Sequence, residues 1–280
     1  MLRRVAELWR YRHLLVDLVV LDLKVRYKGS ALGFLWSLLN PLLMMLVFTV
    51  VFVALFRQGI ARFPVFILVA LLPWNYLSTV VTRGTTSITG NAHLINKVYF
   101  PPEVFPIAVV FSALVNYLLA LPVLFVLMWV FGIPFTAALL LLPVIIVIQT
   151  LFCIAIALFV SALTVQYRDT AIIMEVLLQA WFFLTPVFYP VEQVTAQWQG
   201  FHGARLLRWV NPMASIVDYF RDILYGGVVY INQATGLEPP ASPGWPSLDG
   251  IARTALTVLV LLVLAYVFFA RRSERFAEEA

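Results

Sequence analysis

The side chains of this 280-residue chain that can do chemistry gather on one apolar stretch and at one basic flank. On a helix of 3.6 residues per turn, Arg168, Glu175, Gln179, Phe182, Thr185 and Tyr189 fall within about 120° of one another. The opposite face carries Ile173, Val176, Leu177, Leu184 and Val187, and Pro186 bends the last turn. A carboxylate, an amide, hydroxyls and rings on one face of an apolar helix suit a watery path for a hydroxylated or charged solute. They suit helix-to-helix contact equally well, with Glu175 bridging to Arg168, because lipid would leave those polar groups unpaired. The second group is Arg26, Tyr27 and Lys28, which close an amphipathic segment. Cations there lie at headgroup depth. Arg meets phosphate with a planar fork and Lys meets it as a point charge.

Bond-making chemistry has no equipment here. The sequence contains no G-x-x-x-x-G-K-[ST], no H-E-x-x-H, no paired-Cys metal spacing and no G-x-S-x-G. The histidines, His13, His93 and His202, are far apart, and the single cysteine, Cys153, sits inside an apolar run. Work on a substrate would therefore draw its energy from a gradient or from a partner.

The elements that must position these residues are apolar stretches at 32–56, 64–81, 104–131, 136–165, 170–189 and 251–270. A spanning helix needs about 20 apolar residues, because the hydrocarbon core is about 30 Å thick. Composition agrees, with 62% hydrophobic and 12% charged residues and a mean hydropathy of +0.95. The expected fold is all-α and integral to the membrane, with six transmembrane helices in one domain over 31–270. Residues 1–30 form a cytoplasmic amphipathic interface helix and 271–280 a cytoplasmic tail.

Most of the 19 Lys and Arg residues fall on one side if both termini are cytoplasmic. The net charge of +5 is thus a topology signal and not a nucleic-acid footprint. On the N-terminal helix Arg10, His13, Asp17, Lys24 and Lys28 share one face, and Asp22 and Arg26 form an i,i+4 pair. A plain positive-inside anchor would use the same residues. Residues 84–103 form a cytoplasmic segment ended by Pro101-Pro102. Residues 190–250 form a large extracytoplasmic segment. Within it 209–231 does not cross, because Asp218, Arg221 and Asp222 at its centre would each cost about 2.5–3.5 kcal/mol. A segment this apolar that cannot cross dips into the outer leaflet and returns. The 22 Phe, 11 Tyr and 8 Trp residues suit sugar-ring stacking, although Trp74, Tyr76, Trp181, Phe188 and Tyr189 lie where an ordinary interface belt is expected.

Five segments together resemble one family: DLKVRYKGSALGFLWSLLNPLLMMLVF at 22–48, NKVYFPPEVFPI at 96–107, QYRDT at 166–170, TPVFYP at 185–190 and NPMASIVDYFRDILYG at 211–226. They are similar to the membrane subunit of bacterial ABC exporters for cell-surface polysaccharide, which include O-antigen, capsule and teichoic-acid permeases. The resemblance implies a homodimer joined to a separate cytoplasmic ATPase dimer. ATP and Mg would bind that partner, and this chain would hold no cofactor. It implies that a polyprenyl-diphosphate-linked glycan enters at Arg26, Tyr27 and Lys28 and moves along Glu175, Gln179, Phe182, Thr185 and Tyr189. Coupling to the ATPase would run through Thr86, Asn91, His93, Lys97 and Arg168. Re-entrant gate helices before the last span would carry Asp218 and Arg221. It places the chain in the bacterial inner membrane, among membrane lipids. Two other readings stand beside it. A permease for a small lipid or drug would share the helix plan without a wide aromatic path. A gradient-driven transporter would want carboxylates near midplane, where Glu175 comes closest.

Overall fold

The computed structural model describes residues 10–28, 33, 35–57, 59–92, 100–191, 208–227 and 242–273. Its framework is helical throughout, as the bilayer demands: backbone polar groups in hydrocarbon must be satisfied within the segment. Helix α1, Arg12–Tyr27, is the amphipathic segment. Helix α2, Leu35–Thr49, passes through Pro41 and continues as a π-helical turn, Val50–Leu55. Helix α3 spans Phe63–Thr85, α4 spans Val104–Val130, and α5 spans Leu142–Gln166 after a 3-10 turn at Ala137–Leu141. Helix α6 is Thr170–Leu184, α7 is Pro212–Leu224 and α8 is Leu248–Arg272.

Helix α3 is the axis of the molecule. Val65 through Leu72 are all buried, and α2, α4, α5, α6 and α7 pack around it. Its junction with α5 is close because Gly84 leaves room: a Cβ there would lie 3.4 Å from the Ala157 Cα. Buried polar contacts add direction to this packing. Gln149 Nε2 donates to the Pro73 carbonyl at 2.7 Å, and the Tyr76 hydroxyl donates to Thr150 at 3.4 Å. Helix α8 packs chiefly on α5. Of the candidate spans, the one formed by α2 and its π-helical turn is the least embedded, with Leu35, Leu46, Val47 and Val50 all exposed.

Among the described residues, five helices are long and apolar enough to cross a membrane. The expected sixth is shorter than the sequence suggested. Helix α6 has 15 residues, which reach about 22 Å at 1.5 Å per residue, short of the roughly 30 Å core. It stops because Pro186 excludes the helical conformation at the residue before it. Thr185 is accordingly extended, with φ −99° and ψ 132°. Residues 185–187 then run on as buried, non-helical chain. Helix α7, with 13 residues, reaches about 20 Å and is too short to cross. Eleven of its residues are buried, so it is an internal plug, not a surface helix. Just after it Gly226 adopts φ +94°, and a Cβ there would collide with the Ser242 carbonyl at 2.5 Å.

Candidate translocation site

At the foot of the bundle, α1 is locked to the spans by a carboxylate. Asp22 accepts from both Nη atoms of Arg83 on α3 and from the Ser112 hydroxyl on α4, and Arg26 reaches it at 3.3 Å. The sequence showed only the local Asp22–Arg26 pair. Asp22 and Arg83 are about a quarter to a third exposed, so the lock sits at the edge of the protein and not in its core. Arg26 and Lys28 are exposed at the end of α1, and Tyr27 is that helix's last residue.

Above this lock, α2, α3 and α4 line a half-open cavity of about 570 Å³. Each helix gives it an asparagine: Asn40, Asn75 and Asn116. Arg26 stands in its wall together with Trp36, and the rings of Tyr76 and Tyr117 stack at 5.3 Å and 3° at its back. Nothing in the periodicity of any single span marked this convergence. The available signal was an amide within each of three consecutive spans.

The stripe on α6 does not run its expected length. Arg168 precedes the helix, and Thr185 and Tyr189 follow its end, so Glu175, Gln179 and Phe182 alone share the face. Glu175 and Gln179 are exposed, with Val176 and Leu177 beside them. No ion pair joins Glu175 to Arg168 among the described residues. Phe182 turns inward instead. It meets Trp74 at 5.4 Å, Phe188 at 5.7 Å and Phe48 at 6.0 Å, tying α6 to α2 and α3. Thr185 is fully buried, and the Tyr189 hydroxyl donates to the Phe183 carbonyl at 3.0 Å.

The break in α6 is held by Asn211, which sequence reasoning passed over. Its Oδ1 caps α7 by accepting from the Met213 N–H at 3.1 Å and also accepts from Trp181 Nε1 at 3.0 Å. Its Nδ2 donates to Thr185 Oγ1 at 3.0 Å and to the Leu184 carbonyl. Arg221 completes the clamp. The residue is 4% exposed, and its guanidinium donates to the Val187 and Tyr189 carbonyls at 2.7 and 3.2 Å and lies 4.0 Å over the Phe66 ring. Asp218 pairs with Arg208 at 2.8 Å.

At the opposite end, Ile88 is buried with Ala162 and Val165 of α5 and Phe269 of α8. This brings the Thr89–Asn91 turn beside the α5–α6 connection, where Arg168 is exposed. Thr86 is exposed too, and Asn91 donates to the Ser87 carbonyl at 2.8 Å. His93 and Lys97 lie outside the described residues.

Residues 16–225 match the family described as ABC-2 type transporter. The chain is 39% identical over 278 residues to the O-antigen export system permease protein RfbA of Myxococcus xanthus, covering 99% of both chains. It is 28% identical over 269 residues to the protein of the same name from Klebsiella pneumoniae, covering 95% of this chain and 94% of that one. Similarity to the polysialic acid transport protein KpsM of Escherichia coli is 26% over 224 residues, covering 77% and 82%. With three-quarters of its length inside the family match, the chain belongs to the ABC-2 type transporter family.

Proposed function

We propose that the chain is the permease subunit of an ATP-driven exporter that moves a lipid-linked polysaccharide out across the bacterial cytoplasmic membrane. The observation that carries this reading is the end-to-end likeness to an O-antigen export permease, at 39% identity with 99% of both chains aligned. The likeness to a polysialic acid transport protein points to the same substrate class. The chain works as a homodimer bound to a separate ATPase dimer, which holds the ATP and Mg. Both termini are cytoplasmic. The face of α6 with Glu175 and Gln179 supports the dimer: a lipid-facing carboxylate would cost about 2.5–3.5 kcal/mol, so this face meets a second copy or a watery path. Thr86, Asn91 and Arg168, clustered by the burial of Ile88, form the surface offered to the ATPase, with His93 and Lys97 in the segment that follows. Asp218 and Arg221 belong to a gate whose moving part is the clamped 185–190 segment.

The test is genetic and chemical together. Deletion of the reading frame in its native host is expected to remove long-chain polysaccharide from the cell surface and to accumulate lipid-linked glycan inside. Re-expression of this chain restores export only together with its ATPase. A deletion strain with normal surface polysaccharide overturns the reading.

A further inference from the structure

The cavity between α2, α3 and α4 is placed and furnished in a way that packing alone does not require. Asn40 and Asn75 make no side-chain hydrogen bond among the described residues, and the Ser78 and Thr79 hydroxyls that also line the space make none. Other hydroxyls within the spans do bond back to their own helix, as Thr49, Thr150 and Thr164 show at 2.7–2.8 Å. Leaving amides and hydroxyls without partners at membrane depth is costly, and such groups mark solute sites or water-filled paths. The depth is graded. Asn116 lies about 6 Å beyond Ser112 and Asn75 about 12 Å beyond Arg83, the residues by which their helices hold Asp22, and Asn40 lies about 8 Å from the start of α2. The space therefore rises from the headgroup layer toward midplane, and Arg26 stands at its foot.

The charge at that foot is net positive. Asp22 is shared between Arg26 and Arg83, so two guanidinium groups face one carboxylate. Among the described residues, no acid lines the cavity itself. An anion with hydroxyls above it fits this order, and the buried, mutually stacked Tyr76 and Tyr117 close the back of the space. The volume falls within the roughly 300–1,000 Å³ of small-ligand sites.

The geometry points to a sugar-phosphate intake site inside each protomer, in which Arg26 holds the lipid-linked phosphate and Asn40, Asn75 and Asn116 bind the hydroxyls of the first sugar. This rests on the export reading above and adds a place for the lipid-proximal sugar within one subunit, separate from any path between two subunits. Helix α2, the most exposed of the spans, is the wall past which a lipid-borne headgroup enters; Trp36, 49% exposed, marks its rim.

The experiment measures equilibrium binding to the permease–ATPase complex in nanodiscs, using three probes: farnesyl diphosphate carrying one hexose, farnesyl diphosphate alone, and hexose 1-phosphate. Asn75→Leu is expected to weaken the sugar-bearing probe by about tenfold, the loss of roughly one to two hydrogen bonds, and to leave farnesyl diphosphate unchanged. Asn40→Leu, at an exposed position on α2, is the second variant and is expected to act in the same direction without altering thermal stability. Arg26→Gln is expected to weaken both lipid probes. Sugar-probe affinity within twofold of wild type in both asparagine variants overturns the cavity assignment and leaves the export reading standing. Equal affinity for hexose 1-phosphate overturns the lipid-linked assignment in favour of a soluble sugar phosphate. A wild-type complex that binds neither lipid probe, from a host whose deletion strain keeps its surface polysaccharide, overturns the export reading and the site with it.

Discussion

Replacing Asp22 by Asn should release α1 from the bundle without unfolding the spans. In the structure this carboxylate is the acceptor for Arg83 on α3, Ser112 on α4 and Arg26 on its own helix. An Asn of the same size keeps at most part of that pattern and removes the charge that holds Arg83. Exposed ion pairs contribute about 0–1 kcal/mol, and losing one partner of a buried pair costs about 3–5 kcal/mol. Side chains 27% and 32% exposed lie between these limits, so the loss in docking free energy is about 2 kcal/mol. At 1.4 kcal/mol per tenfold, that raises the undocked population of α1 roughly 30-fold. Hydrogen exchange of the α1 amides reads this population directly when opening and closing are fast. The protein is measured in nanodiscs, with protection in α3 and α5 as the internal reference. Asp17→Asn is the control, because Asp17 is exposed on the same helix and makes no ion pair among the described residues. The same loss of charge there should leave exchange within about twofold, as surface substitutions usually do. Equal exchange in the two variants would refute the lock. A double-mutant cycle with Arg83→Met adds a second arm: the coupling energy should be at least about 1 kcal/mol, the scale for residues in direct contact.

Three further outcomes follow from named contacts. Asn211→Ala removes an N-cap and three other bonds at the α6 break, and should lower the stability of the purified permease by about 2–3 kcal/mol; an unchanged thermal melting curve contradicts the clamp. Glu175 is exposed in the protomer and makes no ion pair among the described residues, so the Glu175→Leu monomer should melt as wild type while export falls about tenfold, the effect of about 1.4 kcal/mol; normal export with normal dimer yield removes Glu175 from the path. In a Cys153→Ser background, single cysteines at Asn91 and Ser273 should react with impermeant maleimide from the cytoplasm only and one at Ser242 from outside only, and external labelling of Ser273 reverses the topology.

What the sequence disclosed and what it hid divide along the range of the forces involved. The spans were legible because the bilayer sets one length for every crossing helix, and α3, α4, α5 and α8 stand within a few residues of their expected limits. The end of α6 was legible in principle: Pro186 forces Thr185 out of the helix, yet an apolar run continuing to Tyr189 hides the stop from a hydropathy reading. The stripe extrapolated past that stop put Thr185 and Tyr189 on a face they do not share with Glu175. The lock could not be read at all, since Asp22 finds Arg83 across 61 residues and Ser112 across 90, and neither shares a periodic pattern with it. The cavity is the subtler case. Each of Asn40, Asn75 and Asn116 is an anomaly on its own span, and physics says only that an amide at that depth has a partner or a purpose. Three amides that needed only partners would be expected to bond one another or a facing carbonyl, as Gln149 does with Pro73. Asn116 bonds its own helix at the Ser112 carbonyl, and Asn40 and Asn75 bond nothing described. Helix glue therefore accounts for Gln149 but not for Asn40 and Asn75, whose polarity faces open space and so what passes through it.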